Sequence, residues 1–483
     1  MVLPEGLRIG GSALNLRSSD PLNLKAGLLN SELLVSSRGS IARPSENPII
    51  RPSAQMHHAS APSGNNGMRA WLYHPSGNQF FRKLARALHE AGCLEEVGTS
   101  IDWRERPWMM TRFWPKGLRA ELGRRAFSRE LGVGFATAPW RESVRLAAMR
   151  LGWKALYHPP AKAFSVERVY AAFDQRMASR LRARTGGVVY AYEDSALACF
   201  QAARKLGLKT AYDLPIAYCR LSQRLIREES ERLPAWAPTL ELDAERKLQN
   251  KEAEIALADM VICPSRFVVE SLPTSIRQRA RVVLAPFGSP EVRPALSPPS
   301  SVLSNGVAPG RKLRVLFAGS MGQRKGLGDL FAAMKLLQRS DVELVVMGLT
   351  MAPMEFYRRE YPNFVYEPGR PHAQVLELMR SCDVFCLPSI VEGRALVIQE
   401  AMSQGLPVII TPNTGADDVI AEGLNGFVVP IRSPEKIAGK LAWFADNRAG
   451  IPAMGEAARL AAAKVTWKVY GETIIENLKE LVR

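Results

Sequence analysis

The sequence lacks the features that mark membrane-spanning and secreted proteins. No stretch reaches the roughly 18 consecutive apolar residues that a membrane-spanning helix needs. The first residues do not combine a basic start, a compact apolar run and a small-residue cleavage site. The six cysteines are scattered, and the spacing of Cys382 and Cys386 does not fit a CxxC redox or zinc pair. We therefore predict a cytoplasmic chain with reduced thiols.

Aromatic residues are missing from the first 67 positions, although the whole chain has 17 Phe, 9 Trp and 11 Tyr. The same segment holds six Pro and eleven Ser. Because such a segment buries little apolar surface to offset its ordering entropy, we predict that residues 1–67 are disordered. Structure-like sequence starts at Met68, which gives the hypothesis that translation begins there. The intact mass of the native protein would test it.

The rest of the composition is that of a globular protein with a basic surface. The 483 residues are 47% apolar and 23% charged, which is enough chain for two or three domains. There are 64 Lys and Arg against 47 Asp and Glu, a net charge of +17. This excess predicts attraction to anions such as phosphates, nucleic acid or acidic lipid surfaces, and it does not choose among them.

Strand and helix patterns alternate in two blocks of the chain. The first block has strand patterns such as 188–192 and 210–214 around a helix pattern at 195–206, and the second restarts with a strand at 313–318. Short joints between strand and helix are typical of parallel, doubly wound sheets. Residues 288–310, rich in turn formers, read as a linker. We predict an α/β fold with two doubly wound domains, whose facing strand ends form a ligand-binding cleft.

The most informative stretch of the sequence lies between Cys382 and Pro430. A strand is followed by a Gly-containing turn and a helix predicted to start near Arg394, whose N-terminal N–H groups form an anion site. Glu392 precedes this helix, and Glu400 lies eight residues on, about 12 Å away if fully helical. That is the scale of a sugar joined through a diphosphate to a ribose, whose hydroxyls carboxylates bind. Two Glu alone are more often a helix N-terminal charge and an exposed acidic residue.

The surrounding sequence resembles the retaining glycosyltransferase family 4, whose signature is Glu, seven residues and Glu after a Pro-Ser strand end. The matching residues are Pro388-Ser389, Glu392-Gly393, Glu400-Ala401-Met402, Gly405-Leu406-Pro407-Val408-Ile409, Gly415 and Asn425-Gly426-Phe427. The resemblance implies the GT-B fold, with two Rossmann-like domains facing across a cleft. Residues 68–287 would form the acceptor-side domain, and residues 311–465 the nucleotide-sugar-binding domain.

A second matching motif runs from Phe317, at the end of the strand at 313–318, to Gly326. An Arg-Lys pair such as Arg324-Lys325 is by itself more often solvated surface. The resemblance implies instead that both cations hold the donor diphosphate and act in catalysis. Many relatives have Arg at the position of Ser320, so which cation binds which phosphate oxygen stays open.

The resemblance also assigns the carboxylates and the remaining donor contacts. Glu400 would bind the ribose, and Glu392 would contact the donor sugar and stabilise positive charge developing at its ring. The full donor set is Gly319, Ser320, Arg324, Lys325, Ser389, Glu392, Gly393, Arg394, Ala395, Leu396 and Glu400. No metal and no other cofactor is expected.

The first domain resembles the family more loosely, at 212–217, 258–267 and 283–288. In relatives a His often follows the first of these motifs, near the acceptor and donor sugar, and this chain has Tyr218 there. His74, after the first strand, is a candidate to line the cleft, although a structural histidine is about as common. We take His74, Gly77, Asp213 and Tyr218 as acceptor-side candidates.

Two further segments give expectations about packing and partners. Residues 466–483 read as an amphipathic helix, with Trp467, Tyr470, Ile474 and Leu478 on one face, and relatives commonly return this helix to the first domain. Packing on the second domain is nearly as compatible with the pattern. Residues 104–153 interleave eleven Arg or Lys with tryptophans, which fits an anionic lipid interface or a stacking site for sugars. Core tryptophans with solvated arginines are the more common case.

The sequence therefore predicts a retaining glycosyltransferase that moves a sugar from a nucleotide-sugar donor to a glycan or lipid-linked acceptor. By resemblance its pathway is cell-surface polysaccharide synthesis, and it would sit in the cytoplasm, peripherally on the inner membrane surface. Two alternatives stay open: a glycogen-synthase-like or epimerase-like enzyme of the same fold, and a noncatalytic binding or scaffold protein. No nucleic-acid motif accompanies the basic charge, so nucleic acid is not an expected partner.

Overall fold

The computed structural model describes residues 67–104, 126–127, 131, 133–157, 163–181, 184, 186–290 and 311–483. The predicted disordered segment 1–67, apart from Gly67, lies outside the described residues, and so do residues 291–310 of the predicted linker. Within the described residues, no helix combines the length and apolar character needed to cross a membrane.

A parallel sheet forms the centre of the first domain. Seven described strands pair in the order β5-β2-β1-β6-β7-β8-β9. Two short strands, β3 and β4, pair with each other in a separate two-stranded sheet of the described residues. The bounds are β1 Ala70–Tyr73, β2 Leu94–Thr99, β3 Trp103–Arg104, β4 Ala126–Phe127, β5 Gly134–Thr137, β6 Val188–Tyr192, β7 Lys209–Asp213, β8 Met260–Cys263 and β9 Arg281–Leu284.

Helices cover both faces of this sheet and connect its strands. Their bounds are α1 Gln79–Glu90, α2 Pro139–Arg150, α3 Lys154–Tyr157, α4 Val166–Arg180, α5 Leu197–Lys205, α6 Cys219–Arg232, α7 Glu245–Ala256, α8 Arg266–Ser271 and α9 Thr274–Arg279. A 3₁₀ helix, Pro234–Thr239, follows α6. Strands such as β6 are buried along their whole length, as strands covered on both faces must be.

The second domain repeats this plan. Six described strands pair in parallel in the order β12-β11-β10-β13-β14-β15. They are β10 Leu313–Ala318, β11 Val342–Met347, β12 Phe364–Glu367, β13 Val384–Leu387, β14 Val408–Ile410 and β15 Gly426–Val428. The helices are α10 Leu327–Leu337, α11 Met354–Glu360, α12 His372–Arg380, α13 Leu396–Ser403, α14 Pro434–Asp446 and α15 Ile451–Lys464, with a 3₁₀ turn at Gln323–Lys325 before α10.

The last helix, α16 (Trp467–Val482), returns to the first domain. Thr466 caps it by accepting a hydrogen bond from the N–H of Val469. Tyr470, Ile474 and Leu478 are buried in the same core cluster as the apolar face of α1. These three residues belong to the apolar face that the helical spacing of the sequence predicts.

The two domains contact each other directly across the cleft. Ser265 Oγ, from the first domain, donates to the carbonyl oxygen of Gly393 at 2.6 Å. A Cβ at position 393 would overlap the carbonyl oxygen of Pro215, so only glycine allows this approach of the two backbones. A small apolar cluster adds to the contact, with Ala217 and Leu225 on one side and Ile390 and Val391 on the other.

Candidate functional site

A tight turn after β10 presents two cations to the cleft. The strand ends at Ala318, the 3₁₀ turn carries Arg324 and Lys325, and α10 starts directly after Gly326. Gly326 has a φ of 74°, and a Cβ there would overlap the carbonyl oxygen of Pro388. Glycine therefore allows the backbone of the turn to pack closely against the end of β13.

The turn and the segment after β13 bring three predicted residues together. Glu392 Oε1 lies 2.6 Å from Arg324 Nη1 and 2.6 Å from Lys325 Nζ. The backbone holds the same contact, because the N–H of Ile390 donates to the Arg324 carbonyl oxygen at 2.9 Å. The Glu392 and Lys325 side chains are largely buried, whereas the Arg324 side chain is 33% exposed.

Burial and charge act in opposite directions on the pKa of Glu392. Burial favours the neutral acid, but Lys325 and Arg324 outweigh it and lower the pKa below its usual range. The carboxylate is therefore ionised at neutral pH. Burial also lowers the pKa of Lys325, although Glu392 opposes the shift. With Lys325 protonated, two cations face one anion, and the cluster has the positive sign needed to bind a diphosphate.

Helix α13 begins at Leu396 with Ala395 as its N-cap residue, so it starts near Arg394, as predicted. Arg394 is buried, and its guanidinium donates to Gln399 Oε1, the Gly415 carbonyl oxygen and Asp418. The N-terminus of α13 thus follows Glu392 closely, as predicted. Through its hydrogen bonds to Gly415 and Asp418, the Arg394 side chain stabilises the loop after β14.

The other predicted donor residues lie around this cluster. Ser389 is fully buried, and its carbonyl oxygen accepts a hydrogen bond from Thr411. Gly319 directly follows β10, with the aliphatic part of the Lys325 side chain beside it. Ser320 lines the cavity described below.

Glu400 lies on α13 beside a histidine that the sequence analysis missed. His372 Nε2, at the start of α12, is 3.0 Å from Glu400 Oε1. The hydrogen bond to Glu400 raises the pKa of His372, although burial opposes the shift. His372 and Glu400 are 28 residues apart, and no spacing in the sequence signals this pair.

A cavity of about 270 Å³ opens between the two domains beside the cations. The second domain contributes Ser320, Gly322, Arg324 and Met351 to its wall. Residues of the first domain complete it: Ile216, Ala217, Cys219, Ser222, Gln223, Ile226, Thr239, Glu241, Asp243 and Lys251. The cavity is therefore built jointly by α6, the segment after it and the cation-bearing turn.

The acceptor-side candidates do not line this cavity. Nδ1 of His74 accepts hydrogen bonds from the N–H groups of Ser76 and Gly77, and burial lowers the pKa of His74 to about 3. Asp213 is buried and accepts a hydrogen bond from the Tyr190 hydroxyl at 2.6 Å. Tyr218 donates to Glu252. All three side chains have partners within the first domain.

Charged residues at the end of β6 were missed by the sequence analysis. Glu193 and Asp194 follow this strand directly, and Lys251 Nζ lies 3.4 Å from Glu193 and 3.2 Å from Asp243. Burial raises the pKa of Glu193 to about 7 in spite of Lys251. Their position at the carboxyl end of a parallel strand is the signal that could have identified them. Within the described residues, no group of His, Cys, Asp and Glu is arranged to hold a metal ion.

Residues 304–461 match the family model described as Glycosyl transferases group 1. Among curated proteins, the chain is 29% identical over 150 residues to the putative colanic acid biosynthesis glycosyltransferase WcaL of Salmonella typhimurium. The aligned region covers 28% of this chain and 37% of that protein. The chain is also 26% identical over 181 residues to the D-inositol 3-phosphate glycosyltransferase of Segniliparus rotundus, and this alignment covers 35% of the chain and 40% of that protein. The chain thus spans less than half the length of these two relatives.

Solved structures resemble nearly the whole fold. Sucrose-phosphate synthase from Thermosynechococcus elongatus has a TM-score of 0.61 at 16% identity, covering 86% of this chain and 99% of that one. Anabaena HepE, solved in complex with UDP and glucose, has a TM-score of 0.53 at 14% identity, covering 85% and 99%. These likenesses confirm the predicted GT-B fold with two parallel-sheet α/β domains.

Proposed function

We propose that this protein is a retaining glycosyltransferase of family 4 that transfers a sugar from a nucleotide-sugar donor to a glycan or lipid-linked acceptor. The observation that carries the proposal is the contact of Glu392 with Arg324 and Lys325 beside the interdomain cavity. All three residues lie in the region that matches the glycosyl transferase model. The name of the WcaL relative supports a role in cell-surface polysaccharide synthesis.

In this proposal the two cations stabilise the leaving group. When the bond between the sugar and the diphosphate breaks, negative charge grows on the diphosphate oxygens. Arg324 and Lys325 are held in place before the reaction by their contacts with Glu392. The charge of Lys325 acts strongly because its side chain is largely buried. Glu392 would stabilise the positive charge at the sugar ring, and Glu400 would bind the ribose. No protein nucleophile is proposed, since the resemblance implies that the departing phosphate assists the acceptor hydroxyl.

The acceptor would enter the interdomain cavity. The cavity has a volume of about 270 Å³, which is close to the smallest ligand pockets, of about 300 Å³, and suits one sugar unit. Glu241 and Asp243 offer carboxylate oxygens to hydroxyl groups, while Ile226 and Met351 offer apolar surface to a ring face.

We test the donor site with a thermal-shift screen of nucleoside diphosphates and nucleotide sugars. A ligand that binds only the folded state raises its melting temperature by mass action. We expect one nucleotide to stabilise the wild type and the Lys335→Ala control, whose lysine is exposed on α10. The shift should be absent in Lys325→Ala. If no nucleotide shifts the wild type, the proposed function is wrong.

The reaction itself is tested with the donor that the screen identifies. We expect release of the nucleoside diphosphate, and an NMR spectrum of the product in which the anomeric configuration of the donor is retained. An inverted product would overturn the retaining mechanism and leave the donor site intact. Tight nucleotide binding without hydrolysis or transfer would favour the noncatalytic alternative.

The proposed membrane contact involves α2 and α3. Trp140 and Trp153 are 72% and 57% exposed, and Met149, Leu151 and Leu156 are exposed beside them. Arg141, Arg150 and Lys154 are exposed in the same segment. Apolar side chains flanked by cations fit the surface of an anionic bilayer. Arg119, Arg124 and Arg125, which belong to the same basic stretch, lie outside the described residues.

Co-sedimentation with vesicles tests this contact. We expect wild-type protein to sediment with phosphatidylglycerol vesicles and not with phosphatidylcholine vesicles. Trp140→Ser combined with Trp153→Ser should abolish sedimentation. Leu349→Ser, which removes an equally exposed apolar side chain from the second domain, should have no effect. Equal sedimentation of the double variant and the wild type would disprove the contact.

A further inference from the structure

We propose that Glu229, on α6 of the first domain, is a positioning residue for the turn Gln323–Lys325 of the second domain. Through Gln323 it would hold Arg324 and Lys325 in the geometry that binds the donor diphosphate. The inference rests on the proposed function in one respect, since it takes the donor diphosphate to be the ligand of this turn.

Gln323 connects the cation-bearing turn to the first domain. Its side chain is fully buried, and Nε2 donates to Glu229 at 2.9 Å and to Asp329 at 2.8 Å. Its Oε1 accepts from the N–H of Gly328, and its own backbone N–H donates to Thr239 Oγ1 at 3.1 Å. Both hydrogens of the amide group are thus used, which fixes its orientation. Two of these four partners, Glu229 and Thr239, belong to the first domain.

Glu229 is held firmly enough to position its partner. Its side chain has no solvent exposure and accepts hydrogen bonds from Arg232 at 2.6 Å, from Arg432 and from Gln323. Burial would raise the pKa of Glu229, but Arg232, Gln323 and Arg432 outweigh it and lower the pKa. Glu229 is therefore charged, and its hydrogen bond to Gln323 is of the stronger, charge-assisted kind.

The backbone at Arg432 gives independent evidence that this contact is tightly determined. Arg432 has a φ of 60°, a left-handed conformation that non-glycine residues adopt at an energetic cost. Its guanidinium binds both Glu228 and Glu229. Such backbone strain persists where surrounding contacts fix the residue, and here those contacts cross between the domains.

The same face of α6 reaches from the cavity to the turn. Ser222, Ile226 and Glu229 are spaced four and three residues apart, so they lie on one side of the helix. Ser222 and Ile226 line the cavity proposed for the acceptor, and Arg324 lines it from the opposite domain. The helix that would contact the acceptor therefore also sets the position of the cations that would hold the donor.

The test compares two neighbouring glutamates. Glu229→Gln removes the charge next to Gln323. Glu228→Gln is the matched control, because Glu228 shares the partner Arg432 at 2.9 Å and does not contact Gln323. Thr239→Val, which removes the acceptor for the Gln323 N–H, serves as a second variant should Glu229→Gln fail to fold.

The first measurement is amide hydrogen exchange of residues 319–328 without added ligand. We expect faster exchange in Glu229→Gln and Thr239→Val than in wild type and Glu228→Gln. Unchanged exchange in the two test variants would overturn the positioning role, whatever the protein binds.

The second measurement is the affinity for the nucleoside diphosphate found in the screen and for the corresponding nucleoside monophosphate. We expect Glu229→Gln to weaken diphosphate binding about tenfold, the worth of one charge-assisted hydrogen bond, with little change for the monophosphate. A purely structural role would weaken both equally and overturn the inference. Failure of the wild type to bind any nucleoside diphosphate would overturn the proposed function, and with it the diphosphate part of this inference.

Discussion

At the scale of single residues, the Glu392 carboxylate neutralises one of the two cations proposed to hold the diphosphate. Glu392→Gln removes a negative charge that repels the incoming phosphates. We therefore expect nucleoside diphosphate binding to be unchanged or tighter, while sugar transfer slows by about 100-fold because the charge at the sugar ring loses its stabilisation. Titration with the nucleotide and a transfer assay measure the two effects.

The control for this variant is Glu422→Gln. It replaces an exposed carboxylate of the same domain, which pairs with Lys440 in the wild type. It should leave both binding and transfer unchanged. Weaker diphosphate binding in Glu392→Gln would mean that the carboxylate orients the cations rather than competing with the ligand.

Asp213 gives a prediction about pH. Burial raises its pKa to about 7 from 3.8, so the folded state binds this proton more tightly than the unfolded state. Its contribution to the free energy of unfolding therefore falls as the pH rises from about 4 to 7. We expect the stability of Asp213→Asn relative to wild type to rise by about 2 kcal/mol between pH 5 and pH 8, measured by denaturant unfolding.

The comparison for Asp213 is Glu95→Gln, which changes an exposed carboxylate on β2 of the same sheet. Its stability relative to wild type should not depend on pH over this range. A pH-independent difference for Asp213→Asn would show that the carboxyl group is not protonated in the fold.

At the scale of elements, α16 stabilises the first domain although it follows the second in the chain. Ile474 is fully buried against the core that contains α1. We expect Ile474→Ala to lower the free energy of unfolding of the first domain by about 2 to 5 kcal/mol, from the lost burial and the cavity left behind. Hydrogen exchange resolved by domain measures this.

Lys468→Ala changes an exposed residue of the same helix and should leave both domains unaffected. Equal destabilisation of both domains by Ile474→Ala would indicate that α16 supports their interface rather than the first domain alone.

Elements of the second domain could be predicted from sequence because their pattern is local. The strands at 313–318 and 384–387 are short apolar segments bounded by turn formers, with Arg314 as their one charged residue. The motifs after them carry Arg324, Lys325 and Glu392. The contact of Glu229 with Arg432 could not be predicted, because it joins residues 203 positions apart on different domains and leaves no periodicity.

The first-domain candidates illustrate a second limit. His74 and Asp213 are at or just after strand ends, where side chains can face either the cleft or the core. Sequence position identifies the strand end and does not determine the direction of the side chain. In the structure both side chains are buried in the first domain, and the cavity is lined instead by α6 and the residues after it.

At the scale of the whole molecule, both domains contribute to a site whose positive charge comes from side chains. In the proposed mechanism, Arg324 and Lys325, which both contact Glu392, would take the role that a divalent cation plays in metal-dependent sugar transfer. We therefore expect transfer after exhaustive dialysis against EDTA to equal that of the untreated protein, and added Mg²⁺ to leave the rate unchanged. A rate that falls with EDTA and recovers with Mg²⁺ would contradict this.

The return of α16 to the first domain also sets an order of events during synthesis on the ribosome. The sheet of the first domain is complete once Leu284 has been made, but its core also needs Tyr470, Ile474 and Leu478. Until these residues emerge, the apolar face of α1 stays open to water and to chaperones. Multidomain chains usually fold from the N-terminus onward. In this chain the second domain can finish folding before the first, so a ribosome stalled before Trp467 would leave an incomplete first domain beside a finished second one.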